Sequence, residues 1–293
     1  MTTPRPLLLC AILAFAAAIA PSPARAQVAD TVAVAASDTL YEIRLEDGSV
    51  LYGRVVAVEG DRITVLTQAG ARVELRRAQI RQMRPLQGRV VNGEVWIDDP
   101  HATRLFFGPT ARPLGAGRGY VGVYELIFPF LTYGVSSTFS ISGGTPIVPD
   151  AVGEIFYFAP KLTLVQTERV SGAVGVLVGA YEDHTAGILY GVGTVGDRDR
   201  AFTGGIGWGF SDGDVQSQSV VMFGAEQRAA ARLKLLTENY FLPGEEGMIF
   251  SIGVRFFSES LSADLGTAHY LGDDCSGACW FPLVNFVYSF GGK

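Results

Sequence analysis

From about Arg104 to Phe290 the chain repeats one unit, a short run that alternates large apolar side chains with small or polar ones and then ends in a turn. The runs read YVGVYELIFPF, STFSISGG, IFYFAPKLTLV, AVGVLVGAY, GILYGVGTV, AFTGGIGWGF, SVVMFGAEQ, RLKLLTENY, MIFSIGVRFF, LSADLGTAHYL and LVNFVYSF. Helical spacing fits none of them, and a period of two fits most, so the runs are β-strands. No segment reaches the roughly 18 consecutive apolar residues of a membrane helix.

Sorting each run into its two faces separates bulk from charge. One face collects Tyr124, Leu126 and Phe128; Phe156, Phe158 and Leu162; Val174, Val176 and Val178; Ile188, Tyr190 and Val192; Phe202, Ile206, Trp208 and Phe210; and, further on, Phe250, Ile252, Phe256, Phe286 and Tyr288. The other collects glycines together with Glu125, Lys161, Arg232, Lys234, Glu238, Arg255 and Asp264. Only SVVMFGAEQ is ambiguous between registers.

A soluble sandwich would turn the second face to water, where glycine weakens strands and packs nothing. A membrane barrel reverses the sides, with large apolar groups toward lipid and small or charged ones toward a crowded lumen. A lipid-facing Arg or Lys at mid-depth costs about 2–4 kcal/mol, which accounts for the charge-free side. Closure removes sheet edges that hydrocarbon would not tolerate. The fold class is therefore all-β: an antiparallel transmembrane β-barrel of about 10–12 strands with a small N-terminal β-barrel-like domain. The eleven runs become twelve, an even number, when Thr103 to Phe107 (TRLFF) is taken as a first strand. The longer connections around 108–119, 143–154, 240–247 and 271–282 then fall at one end of the barrel. A secreted soluble all-β domain is the alternative.

Residues 1–26 have the layout of a secretory signal peptide, with Arg5, an apolar run from Leu7 to Ala20 and Ala24-Arg25-Ala26 before Gln27. Residues 27–39, a tract of small residues, are expected to form a flexible lead. Residues 40–86 show short alternating runs broken at Asp47-Gly48, Glu59-Gly60-Asp61 and Ala69-Gly70, the pattern of a small all-β periplasmic domain. A linker, 87–102, leads to the barrel, 103–293. Of 23 basic residues, Arg5 and Arg25 leave with the signal, so 21 stand against 29 acidic and the mature charge is −8. An acidic exported chain lacks the basic footprint of a nucleic-acid partner. Arg72, Arg76, Arg77, Arg81 and Arg84 form a local basic stretch suited to a solvated rim or to anionic head groups. Cys275 and Cys279, left as a pair once Cys10 is removed, are expected to form a disulfide in an oxidising compartment.

Pro100 to Gly144 carries TRLFF-x-P-T, then G-x-G-Y-x-x-x-Y and FP, and so resembles the opening of a group of uncharacterised bacterial outer-membrane β-barrel proteins. That resemblance implies an outer-membrane location and no known activity. The hairpin with Asp47-Gly48-Ser49 and Gly53 is similar to Sm-like small barrels. The implied partners are outer-membrane lipid, the barrel-assembly machinery and a periplasmic protein for residues 40–86.

The three histidines, His101, His184 and His269, have acidic neighbours, Asp99 beside the first and Glu182 and Asp183 beside the second. No spacing brings a serine beside His269 on one face, so a lipid-modifying hydrolase is a secondary reading. No cofactor or metal motif is present in the sequence. The charges on the small-residue face suit ion pairs that fill a narrow lumen, or a path for small solutes. The sequence thus points to a non-enzymatic outer-membrane barrel, structural or anchoring.

Overall fold

The computed structural model describes residues 39–92, 94–147, 154–181, 184–242, 247–272 and 279–291. The expected signal peptide, and all of the lead but its last residue, lie outside the described residues. The chain divides into two compact units, Met1–Met83 and Arg84–Lys293.

In the first unit, β1 (Leu40–Leu45), β2 (Val50–Glu59), β3 (Arg62–Thr67), β4 (Arg72–Arg76) and β5 (Ile80–Pro85) form one sheet in the order β4-β3-β2-β1-β5. Gly48, Gly60 and Gly70 take positive φ at the hairpin turns, where a side chain would be strained. Alternate residues Ile43, Val55, Ile63, Val65 and Leu75 make its buried core. Arg72, Arg76 and Arg81 are exposed.

The first hairpin of the second unit, β6 (Gly88–Val91) and β7 (Glu94–Ile97), lies inside the expected linker. Its wall is β8 (Arg118–Tyr124), β9 (Phe128–Gly134), β10 (Phe139–Gly144), β11 (Ile155–Gln166), β12 (Val170–Tyr181), β13 (His184–Gly196), β14 (Arg200–Ser211), β15 (Asp214–Ala230), β16 (Leu233–Leu242), β17 (Gly247–Phe257), β18 (Leu261–Leu271) and β19 (Trp280–Gly291). Each strand pairs antiparallel with its neighbours, and β19 pairs with β8 from Asn285↔Tyr124 to Gly291↔Arg118, closing a barrel of twelve strands. One end has only brief turns, 135–138, 167–169, 197–199, 231–232 and 258–260. Their polar side chains bond local backbone: Asp197 Oδ1 accepts from Asp199 and Arg200, and Thr167 Oγ1 from Val170. The longest connections, 145–154 and 272–279, lie at the other end.

The count of twelve arises differently from the sequence expectation. YVGVYELIFPF is two strands, not one, because Glu125 and Leu126 both take positive φ, 49° and 63°, and turn the chain between β8 and β9. TRLFF is not a wall strand. Leu105 and Phe106 are fully buried inside the barrel.

The outer surface is apolar: Phe158, Phe202, Ile252 and Tyr288 are each more than half exposed on a single closed sheet. Two face assignments are corrected. Tyr124 and Phe128 point inward, since the turn at Glu125 breaks the register assumed through it. Strand β13 is also reversed, placing Tyr190 and Val192 inside. The cross-strand register explains both the reversal and the glycines, because Tyr190 lies directly between Gly175 of β12 and Gly207 of β14. A Cβ on Gly175 would come within 2.4 Å of the Tyr190 hydroxyl, and one on Gly207 within 2.7 Å of Ile188 Cδ1. The AFTGGIGWGF strand thus keeps Phe202, Ile206 and Trp208 outward, while its inner glycines leave room for the large side chains of β13.

Candidate functional site

The lumen is occupied by the chain itself. Residues 98–117, between β7 and β8, run through the barrel as a plug, with Asp99, His101, Arg104, Leu105, Phe106, Thr110 and Ala111 buried. A small internal turn shapes it, as Leu105 N donates to Gly108 O and Thr110 N to Thr103 O, both at 2.9 Å.

Side chains of the wall satisfy its backbone. Fully buried Arg255 on β17 donates through Nε to Asp264 Oδ1 at 2.6 Å, and through its terminal nitrogens to the carbonyls of His101, Arg104 and Leu105. Asp264 on β18 also accepts from Arg104 Nη1 of the plug at 2.7 Å. Glu238 on β16 accepts from the N–H groups of Phe106, Phe107 and Gly108 at 2.7, 3.0 and 3.0 Å, and from the Tyr240 hydroxyl at 2.6 Å. A buried carboxylate facing three amides is an anion in a backbone nest, with the anion belonging to the wall. Lys161 on β11 donates to Thr110 O and Arg112 O at 2.7 and 2.9 Å. Lys234 lies 3.2 Å from Asp99 and 3.3 Å from Glu226, and Glu226 accepts from Arg112 at 2.5 Å. The arginines, Lys234 and their carboxylates are buried as ion pairs, while Glu238 and Lys161 are buried against hydrogen-bonding partners of the plug and wall, the conditions under which a desolvated ion is tolerated.

At the short-turn end the β6–β7 hairpin meets the rim. Arg228 stacks over Trp96 of β7 at 5.0 Å and over Phe257 at 4.8 Å, while Arg89 pairs with Asp199 and Arg198 with Asp98.

Of the expected lumen charges, Lys161, Lys234, Glu238, Arg255 and Asp264 converge on the plug. Two do not. Glu125 sits in the β8–β9 turn, where its carboxylate accepts from Val284 N at 3.2 Å, and Arg232 is exposed in the β15–β16 turn. The sequence reading missed Arg104, Arg112 and Glu226, and took Asp99 only as the acidic neighbour of His101. Glu226 was hidden by the ambiguous SVVMFGAEQ register, which resolves with Met222, Gly224, Glu226 and Arg228 inward. Arg104 stands inside TRLFF, where the alternation reads it equally well as one more lumen-facing charge of a wall strand. Cys275 lies outside the described residues, and the Cys279 carbonyl stands 3.2 Å from His269 Nδ1.

The histidines are dispersed. His184 pairs with Asp212 at an exposed turn, and His269 stacks on Trp280 at 4.5 Å. His101 meets Ser289 Oγ through Nε2 at 2.8 Å, but Asp99 accepts from the His101 backbone N–H, and Nδ1 has no hydrogen-bond partner. The orienting carboxylate of a nucleophile–base–acid set is therefore not on the ring. Burial in the plug, with Arg104 beside it, holds the imidazole neutral, pushed down to about 3. Among the described residues no cluster of His, Cys, Asp and Glu could hold a metal ion.

Two cavities flank the plug. Toward the long-loop end lies one of about 680 Å³, walled by Tyr124, Phe130, Tyr157, Ile188 and Tyr190, with Arg104 and Lys161 among its lining. Toward the short turns lies a polar one of about 750 Å³, lined by Arg112, Arg169, Asp197 and Arg198.

No family model matches the chain, and no curated protein matches it. Among solved structures it is similar to the KdgM porin in complex with disordered oligogalacturonate, at 8% identity and a TM-score of 0.47 over 59% of this chain and 98% of that one. It is also similar to outer-membrane expressed OmpT of Vibrio cholerae, at 12% identity and 0.36 over 86% and 95%. A third is OccK11 (OpdR) of Pseudomonas aeruginosa, at 11% identity and 0.31 over 87% and 94%.

Proposed function

We propose that this protein is an outer-membrane β-barrel closed by its own plug, a non-enzymatic and non-conducting barrel that anchors the domain preceding it. The observation that carries the reading is the use of the lumen charges. Arg255, Asp264, Glu238 and Lys161 hold plug backbone or the plug's own arginine, rather than lining an open path. An ion pathway needs polar groups that a passing solute can reach.

The apolar exterior supports a lipid surround, and both the plug and the last strand begin or end at the short-turn end. In an outer-membrane topology that end is periplasmic. It would place residues 40–86 in the periplasm, available to a protein partner, after insertion by the barrel-assembly machinery. Planar-bilayer recording tests the reading. The purified protein is expected to give no stepwise conductance, and removal of residues 98–114 to produce it. Stepwise openings from the intact protein would replace closure by a small-solute pore.

A further inference from the structure

We infer that the wall opens sideways above the β8–β9 hairpin, and that the cavity above the plug takes up an acyl chain of a bilayer lipid through this opening. Strands β8 and β9 have seven residues each, whereas β11 to β19 have 10 to 17. At about 3.3 Å per residue and a tilt of about 40°, the hairpin rises about 18 Å, against an apolar band of about 25 Å. It starts level with its neighbour at the short-turn end, where Arg118 of β8 lies opposite Gly291 of β19. Its tip therefore stops inside the hydrocarbon. The tip suits that depth, since Leu126 and Ile127 are exposed while the polar Glu125 folds back onto β19, donating from its N–H to Val284 O and accepting from Val284 N.

The edge that the short hairpin leaves bare carries the second observation. Pairing of β19 with β8 ends at Asn285↔Tyr124, and among the described residues Trp280 to Leu283 have a strand partner only in β18. Backbone groups of alternate residues point to the same side of a strand. Val284 turns its N–H and carbonyl to the hairpin, and Cys279 turns its carbonyl to Tyr270 of β18, so the nitrogen of residue 282 faces the gap. Residue 282 is a proline, which has no N–H to leave unmet there. Water would satisfy a donor at that position, and hydrocarbon would not.

Behind the gap lies the cavity of about 680 Å³, a size common among small-molecule sites, and the short hairpin is its near wall through Tyr124, Phe128 and Phe130. Phe128 is 40% exposed, so apolar side chains lead from Leu126 and Ile127 at the tip, past Phe128, to Tyr157 and Tyr190 within. The two cations of the lining are engaged elsewhere, Lys161 with plug carbonyls and Arg104 with Asp264. Such a lining offers contacts to a hydrocarbon chain and no counter-charge to a head group. Apolar space excludes water, and left empty it forfeits the dispersion contacts of its walls. With lipid at the gap, an acyl chain restores them.

The test uses the full-length protein in phosphatidylcholine vesicles containing phosphatidylcholine with a diazirine in one acyl chain, with adducts mapped by mass spectrometry after irradiation. Adducts are expected on the inward Tyr157 and Tyr190 as well as on the outward Phe158 and Phe202. A diazirine on the choline head group is expected to mark neither tyrosine. Ala159→Trp, which fills the cavity from β11, is expected to cut the inner adducts about tenfold or more and to leave the outer ones. Undiminished inner adducts in that variant, while circular dichroism still reports a barrel, would overturn the site. Labelling of Tyr157 and Tyr190 by a water-soluble diazirine as strongly as by the lipid would overturn entry from the side. The inference rests on the proposed lipid-facing wall and plugged lumen, and each fails apart from the others. Absence of outer adducts would sink the membrane reading, conductance from the intact protein the closure, and outer adducts without inner ones only the acyl site.

Discussion

Arg255 and Asp264 face each other across β17 and β18, both fully buried, joined by hydrogen bonds of 2.6 and 3.1 Å. They form the floor on which the plug rests, since Asp264 also accepts from Arg104 and Arg255 also donates to plug carbonyls. Removing one partner strands a buried charge, a loss of about 3–5 kcal/mol. Asp264→Asn, which leaves buried Arg104 without a carboxylate, is therefore expected to lower the unfolding free energy in urea by that measure, and Arg255→Ala to do so less, since Asp264 keeps Arg104 and Asp99 keeps Lys234. Midpoints unchanged in both variants would show that the pair does not hold the plug.

Glu238 controls the middle of the plug through three backbone amides. Hydrogen bonds to a charged group contribute about 1.5–3 kcal/mol each, and a glutamine side chain offers one acceptor oxygen in place of a charged pair. Glu238→Gln is expected to loosen residues 106–108, seen as faster amide hydrogen exchange there and as brief openings in planar bilayers. Exchange at wild-type rates would argue that Leu105 and Phe106 hold the plug by packing alone.

Gly175 and Tyr190 make a matched pair on the lumen face. Gly175→Val would force a side chain into the ring, and overpacking of this kind costs about 1–3 kcal/mol. Paired with Tyr190→Ala, the loss is expected to be smaller than the sum of the two single changes, a coupling that a double-mutant cycle in urea would measure. Strict additivity would mean that the two do not touch.

Ile252 separates a lipid exterior from a water one. It is 52% exposed on β17. On a water-facing surface Ile252→Arg would change stability by no more than about 0.5 kcal/mol. Against hydrocarbon at mid-depth it is expected to cost about 2–4 kcal/mol, read from folding into lipid vesicles. A neutral result would place this face in water.

His101 adds a pH dependence from a group outside the membrane-spanning strands. Its value falls from 6.5 unfolded to about 3 in the fold, so between those limits the unfolded chain binds the extra proton. The contribution of the neutral ring is complete above the unfolded value and is lost as pH falls through the window toward about 3. His101→Gln is expected to flatten the decline in stability across that range. An identical slope in both proteins would assign acid sensitivity elsewhere.

The strand runs, the charge-free face and the closed all-β wall were legible in the residues from β10 onward, because a period of two is a local property and lipid forbids charge on one side. Legibility failed where a local rule met a long-range one. YVGVYELIFPF looks continuous, and only the turn at Glu125 and Leu126 divides it. Tyr190 matches an outward residue by size, yet it points inward because glycines on both neighbouring strands vacate the space beside it, a fact of register between strands. Lys161, Lys234, Glu238, Arg255 and Asp264 were legible as inward charges, but their common partner was not. TRLFF alternates like a strand, and what puts it in the lumen is Arg104, which finds Asp264 some 160 residues away. The sequence alone determined an apolar wall with ions enclosed, since each strand carries its own alternation. Only the tertiary structure decided that the enclosed space holds a segment of the same chain, because buried charges choose partners by distance in space.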